Sequence, residues 1–512
     1  MTNFLEAETA LIQLLLIVSL VAIGIRRIRL PYTVALVLVG LVLAFQDAIR
    51  FSLTKELILA LFLPPLLFEA AFHVEFQKLR QNLWPILAMA VPGVLISTFI
   101  IGGLVMVGTA LTWPLALLFG ALIAATDPVA VIAVFRSLGV SKKLTILVEG
   151  ESLFNDGAAV VIFNIILGIA LTGHFSLLEG VWEFIKESAG GLGLGLALGW
   201  AVAQIIARID DYLIETTLTT VLAFGSFLIA EQLHLSGVLA VVAAGILNGN
   251  IGPQGMSAST KIVLFNFWEF LAFLANSLIF LLIGLAIDLP LLLQNIGPII
   301  VAVVAVLLAR AVSVYGLSWL TGFIRGGQVP FKSQHVLVWG GLRGAVSLAL
   351  ALGLPAELGP NREAIQAMAF GVVLITLLTQ ATTIEPLLKR LNLVGRPEAE
   401  VAYDRSRGRV LALRGAHKHL AEMHQRGELS ERAWTILGAE ISTAEQTATD
   451  RMRHLVETDP ALGEQELAAA RKELLLTQRG VLYSLQHDGL IDSQILEELA
   501  VELDEQLIES SK

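Results

Sequence analysis

The sequence contains no cysteine, which excludes a disulfide framework, a thiolate metal site and a cysteine nucleophile. It is also poor in charge. Only 15% of its 512 residues are Asp, Glu, Lys or Arg, against about a quarter in soluble globular chains, while 56% are hydrophobic and the mean hydropathy is +0.77. No HExxH, no GxSxG and no nucleotide-binding glycine loop occurs, so the chain offers no enzyme motif and is read as a non-enzyme. No cofactor and no nucleic-acid partner is expected. What remains is an all-α polytopic membrane protein.

The shortage of charge is uneven. From residue 396 onward there are 14 Lys and Arg against 22 Asp and Glu, a net charge of −8, whereas the preceding 395 residues hold 20 against 22. The composition therefore divides the chain into a membrane domain, 1–395, and a cytoplasmic helical domain, 396–512. Apolar runs in the first part start near residues 10, 31, 57, 84, 114, 147, 189, 213, 236, 262, 296, 334 and 364, which gives about 13 spans. The first follows an acidic start and precedes Arg26, Arg27 and Arg29, so it reads as a retained helix rather than a cleaved signal. In the tail, apolar residues recur at steps of three, four and seven, as in Leu413, Ala416 and Leu420, or Leu467, Leu474 and Val481 beside Leu475, Leu482 and Leu485. These are amphipathic helices, and they suit a regulatory domain or a solvated extension equally.

Lys and Arg placement sets the orientation, because short cytoplasmic loops hold the positive excess. With the C-terminus inside, fourteen basic residues, Arg26, Arg27, Arg29 and Arg325 among them, fall in inside loops. Four, Arg50, Lys55, Lys186 and Arg362, fall outside. The N-terminus is then external and the C-terminus cytoplasmic, in the cell or plasma membrane.

Several spans carry breakers: Pro64 and Pro65 in the third, Pro128 in the fifth, Gly340, Gly341 and Gly344 in the twelfth. Broken backbone at membrane depth is tolerated only where protein or a watery cavity satisfies it. The fifth and twelfth spans are seven apart, so spans one to six could repeat, inverted, as eight to thirteen.

Two consecutive spans, residues 114 to 172, hold the acids that matter: Asp127 in ATDPVAV and Glu151, Asn155 and Asp156 in EGESLFNDG. A charge near the bilayer centre costs at least about 2.5 to 3.5 kcal/mol, so such a cluster points to an ion or proton path. Thr126 and Asp127 precede the break at Pro128 and offer hydroxyl, carboxylate and freed carbonyl oxygens, hard ligands for a small cation such as Na⁺. Asp127 could equally cap a broken helix. On the next span Ser152 shares a face with Asp156, and Glu151 with Asn155; transport site and mutual structural pairing are both open. Arg310 and Arg343 lie within spans and need acidic partners or water. Counting Asp127, Glu151 and Asp156 against these two, with Glu69 and Glu149 taken as in water or protonated, leaves −1, which one Na⁺ or one proton would neutralise.

With ATDPVAV, GESLFND and GGLRGAVSLAL in this order, and LPPLLFEAAF as weaker support, the chain resembles the electroneutral sodium/proton antiporters, the NhaP proteins of prokaryotes and the NHE exchangers of animals. The resemblance covers the membrane part only. It implies a 13-helix inverted-repeat fold with broken crossing helices, usually a homodimer, in which an ion-binding bundle moves against a dimerisation bundle. It further implies that Asp156 is the shared Na⁺/H⁺ carboxylate, with Asp127, Ser152 and the Thr126 backbone as further ligands. Glu151 and Asn155 become the supporting pair, with Arg310 the partner of Glu151 and Arg343 in the GGLRG position. An Asn-Asp pair at 155 and 156 resembles the one-for-one exchangers.

Glu69 could line an ion funnel or serve structure. His73, His234 and His335, with a reference pKa of about 6.5, could sense pH or sit at interfaces. K⁺ or Li⁺ in place of Na⁺ is the nearest alternative, since hard-ligand chemistry does not rank the alkali ions. A cation channel is the more distant one, because a single carboxylate cluster between broken helices suits alternating access better than a multi-site pore.

Overall fold

The computed structural model describes residues 2–25, 30–44, 54–174, 176–209, 211–251, 258–323, 327–395, 398–487, 489–492, 494–496, 498–500 and 502–503. Arg26, Arg27, Arg29, Arg50 and Arg325, which enter the charge count above, lie outside them. The described residues are helical throughout, with no strand. They divide into two units, Met1–Val394 and Gly395–Lys512.

In the first unit the helices are α1 Thr2–Gly24, α2 Tyr32–Ala44, α3 Leu63–His73, α4 Phe76–Gln81, α5 Leu83–Ala90, α6 Pro92–Gly108, α7 Trp113–Ala124, α8 Val129–Leu138 and α9 Lys142–Thr172. They continue as α10 Leu177–Ile206, α11 Tyr212–Gln232, α12 Gly237–Ile251, α13 Ala258–Leu285, α14 Leu289–Gln294, α15 Ile296–Thr321, α16 Phe331–Trp339, α17 Ala345–Leu352 and α18 Pro360–Arg390. Among the described residues, eight helical stretches are long and apolar enough to cross a bilayer, and Glu8–Gly24, Tyr32–Ala44, Leu57–His73 and Gly237–Ile251 are shorter apolar helices. The twelfth run, split into α16 and α17, belongs to neither group. Exposed Trp84, Trp113, Trp182 and Trp319 stand near helix ends, as membrane-interface aromatics do.

The breakers behave differently from one another. Pro64 and Pro65 do not interrupt the third run: a π-helical stretch, Leu57–Phe62, leads straight into α3, and the two prolines occupy its first turn. The wider π-helical turn before them takes up the space and the hydrogen bonds that the two prolines cannot use in a regular α-helix. Pro128 and the 340–344 glycines do break their helices, leaving extended segments between α7 and α8 and between α16 and α17. The sixth run stays whole as the 31-residue α9, closed at Gly173, whose left-handed conformation (φ 72°) returns its N–H to Ile169 O at 2.9 Å.

Close helix approaches depend on small residues, as expected where lipid offers no hydrophobic drive between helices. On α10, Gly191, Gly195 and Gly199 face Ser236, Ala240 and Ala244 at the start of and along α12, where a methyl group on any of the three glycines would meet backbone. The core concentrates on the broken helices and on α9, where Leu144, Leu147, Ala159, Val161 and Phe163 are buried.

The second unit is built from α19 Glu398–Gln425, α20 Glu431–Thr458 and α21 Pro460–His487. A short loop folds α20 back along α19, and Arg414 to Glu445 (2.9 Å) and His424 stacked on Trp434 (4.8 Å) tie the two. The inner stripe of α19 is Tyr403, Ser406, Val410 and Leu420, with Leu413 half-buried and Ala416 exposed. On α21 Leu475 is buried while Leu467, Leu474 and Val481 face outward, so of the two stripes read from the sequence only the second turns inward.

Candidate functional site

The two helix breaks touch. The Asp127 N–H donates to Leu342 O at 2.9 Å, a main-chain hydrogen bond between the first interrupted segment and the second. Four helix ends meet at this crossing, two positive (the N-termini of α8 and α17) and two negative (the C-termini of α7 and α16), and each unsatisfied end needs a partner because no water reaches it in a bilayer.

Three side chains meet the four needs, Asp127 serving two of them. Asp127 Oδ1 accepts from Val129 N–H (3.0 Å) at the start of α8, and its carboxylate also reaches the Ala345 N–H that opens α17. Arg343, 1% exposed, donates through Nη1 to Ala124 O (2.9 Å) and Ala125 O (3.1 Å) at the end of α7. Arg310 donates through Nε (3.1 Å) and Nη2 (2.9 Å) to Leu337 O in the last turn of α16. The same Arg310 guanidinium holds the Glu151 carboxylate with both nitrogens of its fork, Nη2 to Oε2 at 2.8 Å and Nη1 to Oε1.

The glycines of 340–344 now have a reason. A methyl group on Gly341 would strike the Arg310 guanidinium, and one on Gly344 would strike the Asp127 carboxylate. Gly344→Ala is therefore expected to lower thermal stability by about 1 to 3 kcal/mol, the usual range for overpacking, and to disturb Asp127. Gly297→Ala, where nothing lies within 4 Å, should be neutral in the same unfolding experiment. Equal behaviour of the two variants would refute the contact.

Against this frame α9 presents its polar residues. Ser152 Oγ donates to Thr126 O at 2.5 Å, and Asn155 Nδ2 donates to Thr126 Oγ1 (3.0 Å) and Ala124 O (3.4 Å). Glu151 and Asn155 share a helix face yet do not serve each other: Glu151 turns to Arg310 and Asn155 to the broken helix. Asp156 is 8% exposed, and its Oδ1 has no hydrogen-bond partner among the described residues. It borders a cavity of about 80 Å³ together with Thr126, Asp127 and Ser152, and the cavity extends along α9 to Glu149, toward the Lys142 end of the helix. Asp127, Arg343 and Glu151 are the charged groups that act on Asp156.

The arrangement puts the Asp127, Asp156 and Glu149 carboxylates and the Thr126, Ser152 and Ser347 hydroxyls around one cavity, while Glu151, Arg310 and Arg343 are engaged with one another or with main-chain carbonyls. Because Ser152 uses its proton on Thr126 O, the hydroxyl lone pairs remain available to a cation. Two polar residues not foreseen from the sequence also border the cavity, Asn276 of α13 and Ser347 of α17. Ser347 had a signal, three residues past Gly344; Asn276 is a lone amide in an apolar run and had none.

The weaker candidates lie elsewhere. His73 Nδ1 is 3.3 Å from Glu69 Oε1, whereas Glu149, which does border the cavity, has Oε1 3.9 Å from Arg136 Nη2. His335 Nδ1 is 2.6 Å from the Tyr315 hydroxyl, and His234 is exposed in the turn between α11 and α12. None of the three histidines borders the cavity.

Comparison with known proteins gives a consistent result. A family profile described as sodium/hydrogen exchanger, transmembrane, matches residues 14–390. The Na⁺/H⁺ antiporter ApNhaP of Aphanothece halophytica is 44% identical over 394 residues, covering 77% of this chain and 75% of that protein. The Na⁺/H⁺ antiporter NhaG of Bacillus atrophaeus is 38% identical over 500 residues, 94% of each chain, and so spans the tail as well. Among solved structures, the sodium proton antiporter MjNhaP1 of Methanocaldococcus jannaschii at pH 8 superimposes with a TM-score of 0.64 at 24% identity, covering 76% of this chain and 99% of that one. At that identity the likeness speaks for the fold.

Proposed function

The chain belongs to the sodium/hydrogen exchanger family, and from that premise we propose that it exchanges one Na⁺ for one H⁺ at Asp156, by alternating access. It is a multi-pass membrane transporter and not an enzyme. The observation that carries the reading is the unpaired Asp156 carboxylate oxygen, buried beside Asp127 and Ser152 at the crossing of two broken helices.

The residues divide the work. Asp156 holds either a proton or the cation, which couples the two flows by competition. Asp127, Ser152 Oγ and the Thr126 carbonyl complete a set of hard oxygen donors for Na⁺ as substrate, Li⁺ and K⁺ being the alternatives. Glu151 with Arg310 forms an internally neutral pair, and Arg343 answers the carbonyls of α7, so Asp156 and Asp127 against Arg343 leave a net charge of −1 at the crossing. One Na⁺ or one proton restores neutrality. If the Lys142 end of α9 is cytoplasmic, as the loop charges argue, the cavity opens inward. A homodimer in the cell membrane, an inverted repeat of 13 crossings with an external N-terminus, and a cytoplasmic, regulatory tail complete the proposal.

The test is voltage. Electrical work is about 2.3 kcal/mol per elementary charge per 100 mV, so one net charge per cycle would shift the equilibrium strongly. In proteoliposomes clamped with K⁺ and valinomycin, the reversal point at fixed Na⁺ and H⁺ gradients should not move with imposed potential. A reversal point that follows the voltage would make Asp127 a second proton carrier. Comparing Na⁺ and Li⁺ under the clamp, and K⁺ without it, ranks the cations, and single-channel currents would replace the antiporter by a channel.

A further inference from the structure

Ala402, Arg405, Ser406 and Arg409 on α19, and Ala444, Thr447, Ala448 and Arg451 on α20, repeat one spacing of three, one and three residues. Each set occupies one helix face. The two faces border a single groove of about 280 Å³. Its floor is made of small residues, with Ser406 and Ala448 each 7% exposed, and its rim is three arginines. Neighbouring arginines have acidic partners: Arg414 takes Glu445, Arg426 takes Glu422 and Glu428, and Arg453 takes Asp450, the acid adjacent in sequence to Arg451. Arg405, Arg409 and Arg451 have no carboxylate within 4 Å among the described residues.

We propose that this groove binds a small phosphate-bearing anion. Three arginines lining one groove, none with a carboxylate within 4 Å among the described residues, repel one another unless an anion lies between them, and they do so in a tail whose net charge is −8. A guanidinium presents paired N–H donors in a plane that matches two phosphate oxygens, and the Ser406 and Thr447 hydroxyls border the same space as further donors. The volume is at the lower end for small-molecule sites. It admits one or two phosphate groups and little else, whether these end a soluble molecule or a lipid. The inference concerns the second unit alone and is independent of the transport reading.

The experiment titrates inorganic pyrophosphate into the full-length protein, in phosphate-free buffer and detergent micelles, by isothermal calorimetry. Binding should be saturable, and Arg405→Ala with Arg409→Ala and Arg451→Ala should weaken it at least tenfold. The same three positions as Lys should recover part of the affinity, because charge survives without the fork. Arg407→Ala with Arg432→Ala, which removes exposed arginines of the same helices outside the groove, should leave it unchanged. Arg451→Ala alone, expected to weaken binding severalfold, serves if the triple variant misfolds. Repeating the titration in nanodiscs separates the sources. Pyrophosphate that binds in phosphatidylcholine discs but is displaced in discs containing phosphatidylglycerol assigns the groove to a lipid headgroup; equal binding in both assigns it to a soluble anion. No saturable binding, or the same affinity in the triple alanine variant, overturns the proposal.

Discussion

Asp156→Asn should reduce Na⁺-driven proton flux in proteoliposomes to the level of protein-free vesicles, a loss of at least about two orders of magnitude. The substitution keeps the shape of the side chain and removes only its ability to ionise, so no cavity opens and no helix moves. On the mechanism proposed above, what disappears is the group that holds Na⁺ or H⁺ in turn. Asp156 has an unpaired oxygen in the cavity, while Asp127 is engaged with Val129 N–H, Ser152 with Thr126 O and Glu151 with Arg310; Asn155 Oδ1 and Ser347 Oγ are also unpaired but belong to groups that do not ionise. None of them is placed to take over. Thermal stability should be unchanged or higher, because an unpaired buried carboxylate no longer has to be accommodated. Wild-type flux in the variant would remove Asp156 from the centre of the mechanism, and lost flux with lost stability would reduce it to a structural residue.

The second large effect is on the fold. Glu151→Gln and Arg310→Ala each break a bidentate pair in which the side chains are 2% and 8% exposed, and an uncompensated buried charge costs about 3 to 5 kcal/mol. Arg310→Ala should be the worse of the two, since Arg310 also carries the Leu337 carbonyl at the end of α16. The double variant leaves no lone charge and should be less destabilised than the sum of the singles. Thermal unfolding of the four proteins forms a double-mutant cycle that reads the coupling. Additive losses would mean that the pair contributes nothing as a pair.

Much of this was legible in the sequence because the membrane makes charge and backbone breaks conspicuous. Pro128 and the 340–344 glycines mark interruptions wherever the backbone must leave a helix in an apolar medium, and Asp127, Glu151 and Asp156 are visible against a background nearly free of ions. Sequence spacing misled at Pro64 and Pro65, because whether a proline breaks a helix depends on the turn before it, and a π-helical stretch there is not encoded as a pattern. At Glu151 and Asn155 spacing left mutual pairing open: helical spacing fixes direction, but partners come from other helices. The role of Arg343 was beyond reach for the same reason. Its acceptors, Ala124 O and Ala125 O, are backbone groups more than 200 positions away, and backbone acceptors leave no trace in residue identity. In the tail, two neighbouring stripes on α21 were equally periodic, and only packing decided that Leu475 turns inward.

The seam between the two helix breaks has a consequence of another kind. It is made by the Asp127 N–H and the Leu342 carbonyl, groups that every residue except proline supplies in the same form. Substitution at a neighbouring cavity position changes what projects beside the seam without removing this main-chain bond. Descendants of this chain can therefore trade the oxygen donors around the cavity, at Thr126, Asn276 or Ser347, and keep the crossing that presents them. On the site proposed above, ion preference can then drift over generations while the architecture stands still.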